Sequence, residues 1–244
     1  MTRAHSFTHA GATLKVEHRG AGDPVFVLIH GIGMGRSVFA DLVAHLDDGA
    51  EVIAIDLPGY GEAPEPPRIL TVERTADLVA AYVRSEVGDP VVVVGHSMGA
   101  QVALEVAARH PELVSRLVLI GPTVDPAART ARKQIARLLH DIAVESPKVI
   151  AIGAREYVRA GPHLRGKFRA MLANRPEAVL SRVEAPTLVL RGEDDVVVSR
   201  EWCRRIAAGM RRARLDEIPD HGHETMIRDA APAARRIQEF LRAD

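Results

Sequence analysis

Three stretches of this chain are apolar almost without a break: VFVLI at 25–29, VVVV at 91–94 and TLVL at 187–190. Successive side chains of a strand point to opposite faces, so a strand with water on one side alternates apolar and polar residues. A strand apolar at nearly every position needs cover on both faces, the condition of a parallel sheet walled by helices. These runs are short, rich in β-branched residues and bounded by Gly or Pro, which favours strand over buried helix.

The same pattern predicts strands near Thr13–His18, Val25–His30, Glu51–Ile55, Val91–Val94, Leu117–Ile120, Thr187–Arg191 and Arg214–Ile218. Helical spacing falls between them, near Ser37–Leu46, Val72–Val87, Met98–His110, Ser199–Met210 and Ala230–Arg242. Strand–helix alternation of this kind makes βαβ units, hence an α/β fold with a doubly wound, mostly parallel sheet. The first strand is expected to pair with Arg3–Thr8 across a turn at Ala10–Gly11, adding an antiparallel N-terminal edge.

One segment breaks the rhythm. Between Pro122 and Pro186 no strand is predicted, whereas Ile135, Leu138, Leu139 and Ile142 follow the i, i+3, i+4, i+7 spacing of an amphipathic helix. Phe168, Met171 and Leu172 suggest another. The expected organisation is a core of residues 1–121 and 187–244 with a helical cap at 122–186. From Asp125 to Arg182, nine arginines and three lysines stand against two aspartates and three glutamates, a net of +7. The chain totals zero, so the remainder carries −7. Two readings follow: solvated helix faces, or a basic lid that steers an acidic or phosphate-bearing substrate.

Zero net charge gives no reason to expect nucleic acid as a partner. Cys203 is the single cysteine, which excludes an intrachain disulfide and speaks against a thiolate metal site. The first twenty residues hold no apolar run of a signal peptide, and no stretch is long enough to span a membrane. The expected location is cytoplasmic.

GHSMG at 95–99 fits G-x-S-x-G between a predicted strand and a predicted helix, the context of a nucleophile elbow. So tight a turn is expected to strain Ser97 and lift its oxygen clear of the sheet edge. The Met98 amide, at the helix N-terminus, is placed to donate to a developing oxyanion. A serine hydroxyl needs a base, and the base an orienting acid, in the chain order Ser, acid, His. TLVLRGEDD supplies acids just past one predicted strand and EIPDHGHET histidines just past the next. Both lie at carboxyl ends of parallel strands, the edge where α/β folds bind ligands.

These pieces resemble the α/β-hydrolase superfamily, in its compact serine esterase and haloperoxidase-like members: VFVLIHGIGMG, DLPGYG, VVVVGHSMGA, LVLRGEDD and IPDHGH, in family order. The resemblance implies Ser97 as nucleophile, Asp195 as acid rather than Glu193 or Asp194, and His223 as base rather than His221. It implies Ile32, after His-Gly, as the second oxyanion amide beside Met98. It also implies a hydrolase of a carboxylic ester working through an acyl-enzyme with no metal or organic cofactor, and the aliphatic cap residues favour a small or medium apolar acyl group. Thioesterase, C–C bond hydrolase and non-catalytic ligand binding are the alternatives. The expected pocket is Ile32, Leu138, Leu139, Ile142 and Tyr157 beneath the cap, with Ile135, Ile150 and Phe168 nearby.

Other residues carry plainer expectations. His30 anchors its loop, His96 is positional, Asp56 holds the DLPGYG turn and Asp125 caps or turns. Cys203 packs as a small hydrophobe, and the N-terminal histidines lie on the surface. The family often has a second glycine at Ala100 and a Glu-x-Pro after the base. Here ETMIRDAAP follows, which is expected to start the last helix later.

Overall fold

The computed structural model describes residues 3–130, 163–227 and 229–243. Eight strands form one sheet: β1 Arg3–His9, β2 Ala12–Gly20, β3 Val25–Ile29, β4 Glu51–Asp56, β5 Val91–His96, β6 Val114–Ile120, β7 Thr187–Gly192 and β8 Ala213–Ile218. Their order is β1-β2-β4-β3-β5-β6-β7-β8. The edge hairpin is antiparallel, with Arg3 opposite His18 and His9 opposite Ala12, and β2 joins β4 antiparallel. Every other pairing is parallel. The strand order reverses at β3, so the loops after β3 and β5 diverge at the sheet's centre, the switch point where such sheets bind ligands.

The helices are α1 Ala40–Leu46, α2 Val72–Tyr82, α3 Met98–Arg109, α4 Leu164–Ala173, α5 Arg200–Ala208 and α6 Ala231–Leu241. α2 runs on through a π turn, Val83–Val87. Period-two alternation splits the strands between two cores. Val27 and Ile29 of β3 join the core beneath α2, α3 and α5, whereas Phe26 and Leu28 join the one beneath α1 and α6. Each such side chain removed from water contributes about 1.5–3 kcal/mol. This two-sided burial is why the strands read as unbroken apolar runs.

The expected last helix does begin late, at Ala231, with Pro232 in its first turn, where a missing N–H costs nothing. Between β6 and β7 the described residues form no strand. They hold α4 and short 3-10 turns, and Met171 of α4 lies in the core. Ile135, Leu138, Leu139, Ile142, Ile150 and Tyr157 lie outside the described residues. Among the described residues no helix is long and apolar enough to cross a membrane.

Candidate active site

β5 runs directly into α3 through Ser97, whose backbone sits at φ 55°, ψ −115°. A non-glycine residue there is strained and persists only where its surroundings over-determine it. Here they do. The Ser97 amide donates to the Ile120 carbonyl at 2.9 Å. A Cβ at Gly95 would fall 2.3 Å from the Gly99 oxygen, and one at Gly99 2.1 Å from the Ile29 oxygen. Strand and helix therefore close on each other only with both glycines. The Ser97 hydroxyl does not cap α3, so it is not consumed in holding the helix. Met98, the first residue of α3, belongs to the turn whose amides lack intrahelical acceptors.

Asp195 and His223, the expected acid and base, meet on the same edge. His223 Nδ1 donates to Asp195 Oδ2 at 2.8 Å, and both residues are only 3% exposed. The other carboxylate oxygen, Oδ1, accepts from the Val197 and Val198 amides, both at 2.8 Å. With Nδ1 protonated toward the acid, Nε2 is the basic nitrogen of the neutral ring. The other candidates are placed differently. Glu193 and Asp194 are exposed. The His221 ring lies between the Pro219 and Asp229 carbonyls, at 2.7 and 3.2 Å. Asp125 accepts from the Ala127 amide and the Ser199 hydroxyl, both at 2.9 Å. It caps a 3-10 turn as expected, and Ser199 in turn caps α5.

The loop after β3 lies against the elbow. A Cβ at Gly31 would sit 3.1 Å from both Ser97 Cβ and His96 Nδ1. Ile32, whose amide is the expected second oxyanion donor, follows Gly31 directly in this loop. His30 holds this loop: it accepts from the Leu57 amide at 3.1 Å and donates through Nδ1 to the Gly31 carbonyl at 2.7 Å. His96 is fully buried and donates through Nε2 to the His223 carbonyl at 3.2 Å, with the two rings 4.9 Å apart. Burial, and then the neighbouring His223, hold His96 well below the ordinary histidine range. Asp56 holds the turn after β4, accepting from the Arg36 and Glu62 amides and the Arg36 guanidinium. Burial pushes the Cys203 thiol up to about 12, so this cysteine packs as an inert apolar group.

Three site features were not foreseen from sequence. Arg191 staples the acid loop, donating to the Asp195, Glu193 and Val198 carbonyls at 2.7–2.9 Å and to Glu217 at 2.9 Å. Its signal was a charged residue inside the apolar run LVLRG. Gly121, at φ 50°, presses on the pair from β6: a Cβ there would lie 2.8 Å from the His223 ring. Lys167 corrects the solvated-face reading of the basic segment. Arg165, Arg169, Arg175 and Arg182 are exposed, whereas the Lys167 side chain is 6% exposed and bonded to Glu65 at 2.7 Å. His18 is corrected too, being half-buried between Glu51 at 2.7 Å and the Tyr82 hydroxyl at 3.1 Å.

Behind Met98 lies a cavity of about 40 Å³, lined mainly by apolar residues such as Leu57, Tyr60, Val102 and Met171. A larger one, about 250 Å³, opens beside α1, and Glu17, Asp56 and Glu62 on its wall all pair with Arg36. Among the described residues no group of three His, Cys, Asp or Glu is placed to hold a metal ion.

The model of the Alpha/beta hydrolase family matches residues 26–236. A pimeloyl-[acyl-carrier protein] methyl ester esterase of Aromatoleum aromaticum is 29% identical, over 90% of this chain and 98% of that protein. A 2-hydroxy-6-oxononadienedioate/2-hydroxy-6-oxononatrienedioate hydrolase of Burkholderia vietnamiensis is 27% identical, over 95% of this chain and 92% of that protein. Among solved structures, the enol-lactonase from Burkholderia xenovorans superposes with a TM-score of 0.84 at 23% identity, covering 97% of this chain and 99% of that one, a likeness of fold alone.

Proposed function

Because the chain belongs to the α/β hydrolase family and is a hydrolase by its relatives, we propose that it cleaves a carboxylic ester with a small or medium apolar acyl group, through Ser97, His223 and Asp195. The supporting observation is the buried 2.8 Å pair of His223 and Asp195 on the sheet edge that carries the strained Ser97.

Ser97 Oγ attacks the ester carbonyl carbon while His223 Nε2 takes its proton. Asp195 keeps the ring in the Nδ1–H tautomer and stabilises the imidazolium. The negative charge passes to the carbonyl oxygen, which accepts from the Ile32 and Met98 amides. The intermediate collapses, the C–O bond to the leaving group breaks, and His223 returns its proton to the departing alcohol. Water, deprotonated by the same nitrogen, then releases the acid and restores Ser97. Residues 122–186 serve as the cap over a core of 1–121 and 187–244. The esterase named above favours an ester. Cleavage of a C–C bond beside a ketone is the second reading, favoured by the relative named for a 6-oxo-dioate.

The test is hydrolysis of p-nitrophenyl esters from acetate to decanoate by wild type and Ser97→Ala. Wild-type turnover with an optimum at short or medium chains, and a variant at background, is the expected result. Equal rates in both proteins would sink the proposal. Wild-type labelling by a fluorophosphonate without ester turnover would move the reading to thioesters and ketones.

A further inference from the structure

A lysine so deeply buried as Lys167 needs a reason. Taking an ammonium out of water costs several kcal/mol, and a buried ion pair on average repays this only roughly, so stability alone does not explain it. What the position offers is contact. Lys167 Nζ bonds the Gly59 carbonyl and Glu65, and it stands 4.4 Å above the Tyr60 ring centroid, a cation–π geometry. A side chain at Gly59, where φ is 77°, would be strained and would displace the Glu65 carboxylate and Lys167 Nζ, 2.4 and 2.5 Å from its Cβ.

Tyr60 is the next link, and it touches both sides of the candidate oxyanion site. Its ring meets His30 edge-on with centroids 5.2 Å apart, and His30 bonds the carbonyl of Gly31, the residue before Ile32. Its hydroxyl donates to Met98 Sδ at 3.7 Å. Burial, and then Glu65, raise the Tyr60 hydroxyl above its ordinary range, so it stays a donor. One packed path thus joins α4 to the two backbone amides proposed to hold the oxyanion.

We infer that Lys167 and Tyr60 are positioning residues: Lys167, reaching from α4, fixes the Tyr60 ring, and the ring fixes the Ile32 and Met98 amides in register with Ser97. The inference rests on the proposed serine chemistry and adds the device that keeps its oxyanion site in shape. It also ties activity to the docking of α4, since withdrawing the helix would release the brace.

The experiment measures the rate of Ser97 phosphonylation by a fluorophosphonate, and kcat and KM on the best p-nitrophenyl ester, for wild type, Lys167→Met, Tyr60→Leu and the double variant. Rates are taken per site that labels at end point, so unfolded protein does not count. The attack on phosphorus also places charge on an oxygen at the oxyanion site, so it reports the same amides without requiring ester turnover. Each single variant is expected to lose about tenfold in phosphonylation rate and kcat, with KM within about twofold. Because the two residues act in series, the double variant is expected to be no slower than the slower single one. Lys167→Arg, which keeps the cation and the Glu65 partner, is expected to recover most of the rate. Losses that multiply in the double variant, unchanged rates, or a rise in KM alone would overturn the brace while leaving the hydrolase reading intact. A wild type that never labels at Ser97 would overturn that reading, and the brace with it.

Discussion

On one side of Ser97 stand Asp195 and His223; on the other stand Gly31, His30 and Tyr60. Asp195 is held by its own neighbours: the amides of Val197 and Val198 at 2.8 Å, and Arg191 on its carbonyl at 2.7 Å, all within eight residues of chain. The opposite side is assembled from far apart in sequence. Gly31 is held by His30, His30 by Leu57 and Tyr60, and Tyr60 by Met98 and Lys167. A locally braced side chain depends on its own loop. A remotely braced amide depends on how several elements dock, so it responds to changes that never touch it.

The largest effect is expected where a local brace carries proton chemistry. Asp195→Asn keeps the shape and the Val197 and Val198 bonds but presents an amide to His223 Nδ1, which favours the wrong tautomer. A loss of about 10⁴ in kcat with little change in KM is expected from steady-state kinetics. A loss below tenfold would mean that another group orients His223. Next is the staple itself. Arg191→Met removes every Arg191 bond and leaves Glu217 with only the exposed Arg200. It should cost about 3 kcal/mol, a fall in Tm of roughly 6–12 °C by calorimetry for a chain of this size. Arg191→Lys should recover little, since a single ammonium cannot reach all the partners. A Tm within a degree of wild type would show that the acid loop holds itself.

This difference in construction also explains what could be read from sequence. The parallel sheet was legible because β3, β5 and β7 are covered on both faces and carry that cover as unbroken apolar runs. The elbow was legible because its two glycines and serine fall within five consecutive residues, 95–99. The resemblance could single out Asp195 because loop and motif coincide in RGEDD, and the structure places its buried carboxylate on His223 Nδ1. Lys167 was not legible. The partners seen at its ammonium, Gly59, Tyr60 and Glu65, lie about a hundred positions earlier in the chain. For the same reason the net charge of a segment could not say which of its cations are solvated.

A smaller effect tests the opposite side at its tightest point. Gly31→Ala adds a methyl 3.1 Å from Ser97 Cβ and His96 Nδ1. The elbow is pinned through the Ser97 amide to Ile120, so the loop is what must yield. A shift of a few tenths of an ångström at the Ile32 amide should lower kcat on the order of tenfold. Phosphonylation rates measured beside kcat should fall together. If KM alone rises, the loop contacts substrate but does not serve the oxyanion.

The smallest effect concerns the residue that joins the two sides. His96 lies against Gly31 and donates to the His223 carbonyl, so it sees both. Its folded pKa lies below the ordinary value of 6.5, chiefly through burial. The unfolded chain therefore binds the extra proton first as pH falls. Stability from this group is complete above about pH 6.5 and is lost on acidification, by up to about 1.4 kcal/mol per pH unit, until the folded pKa is reached. His96→Gln keeps an amide nitrogen near the position of ring Nε2 and removes the titration. Between pH 7.5 and 5.5 the wild type should lose roughly 3 °C more in Tm than the variant. Equal slopes would mean that the fold leaves proton binding at His96 unchanged, and a wild type that loses less Tm than the variant would mean that His96 already carries its proton in the fold. A charge would then sit beside His223 from the start, and the two sides of the site would be coupled by electrostatics rather than by packing.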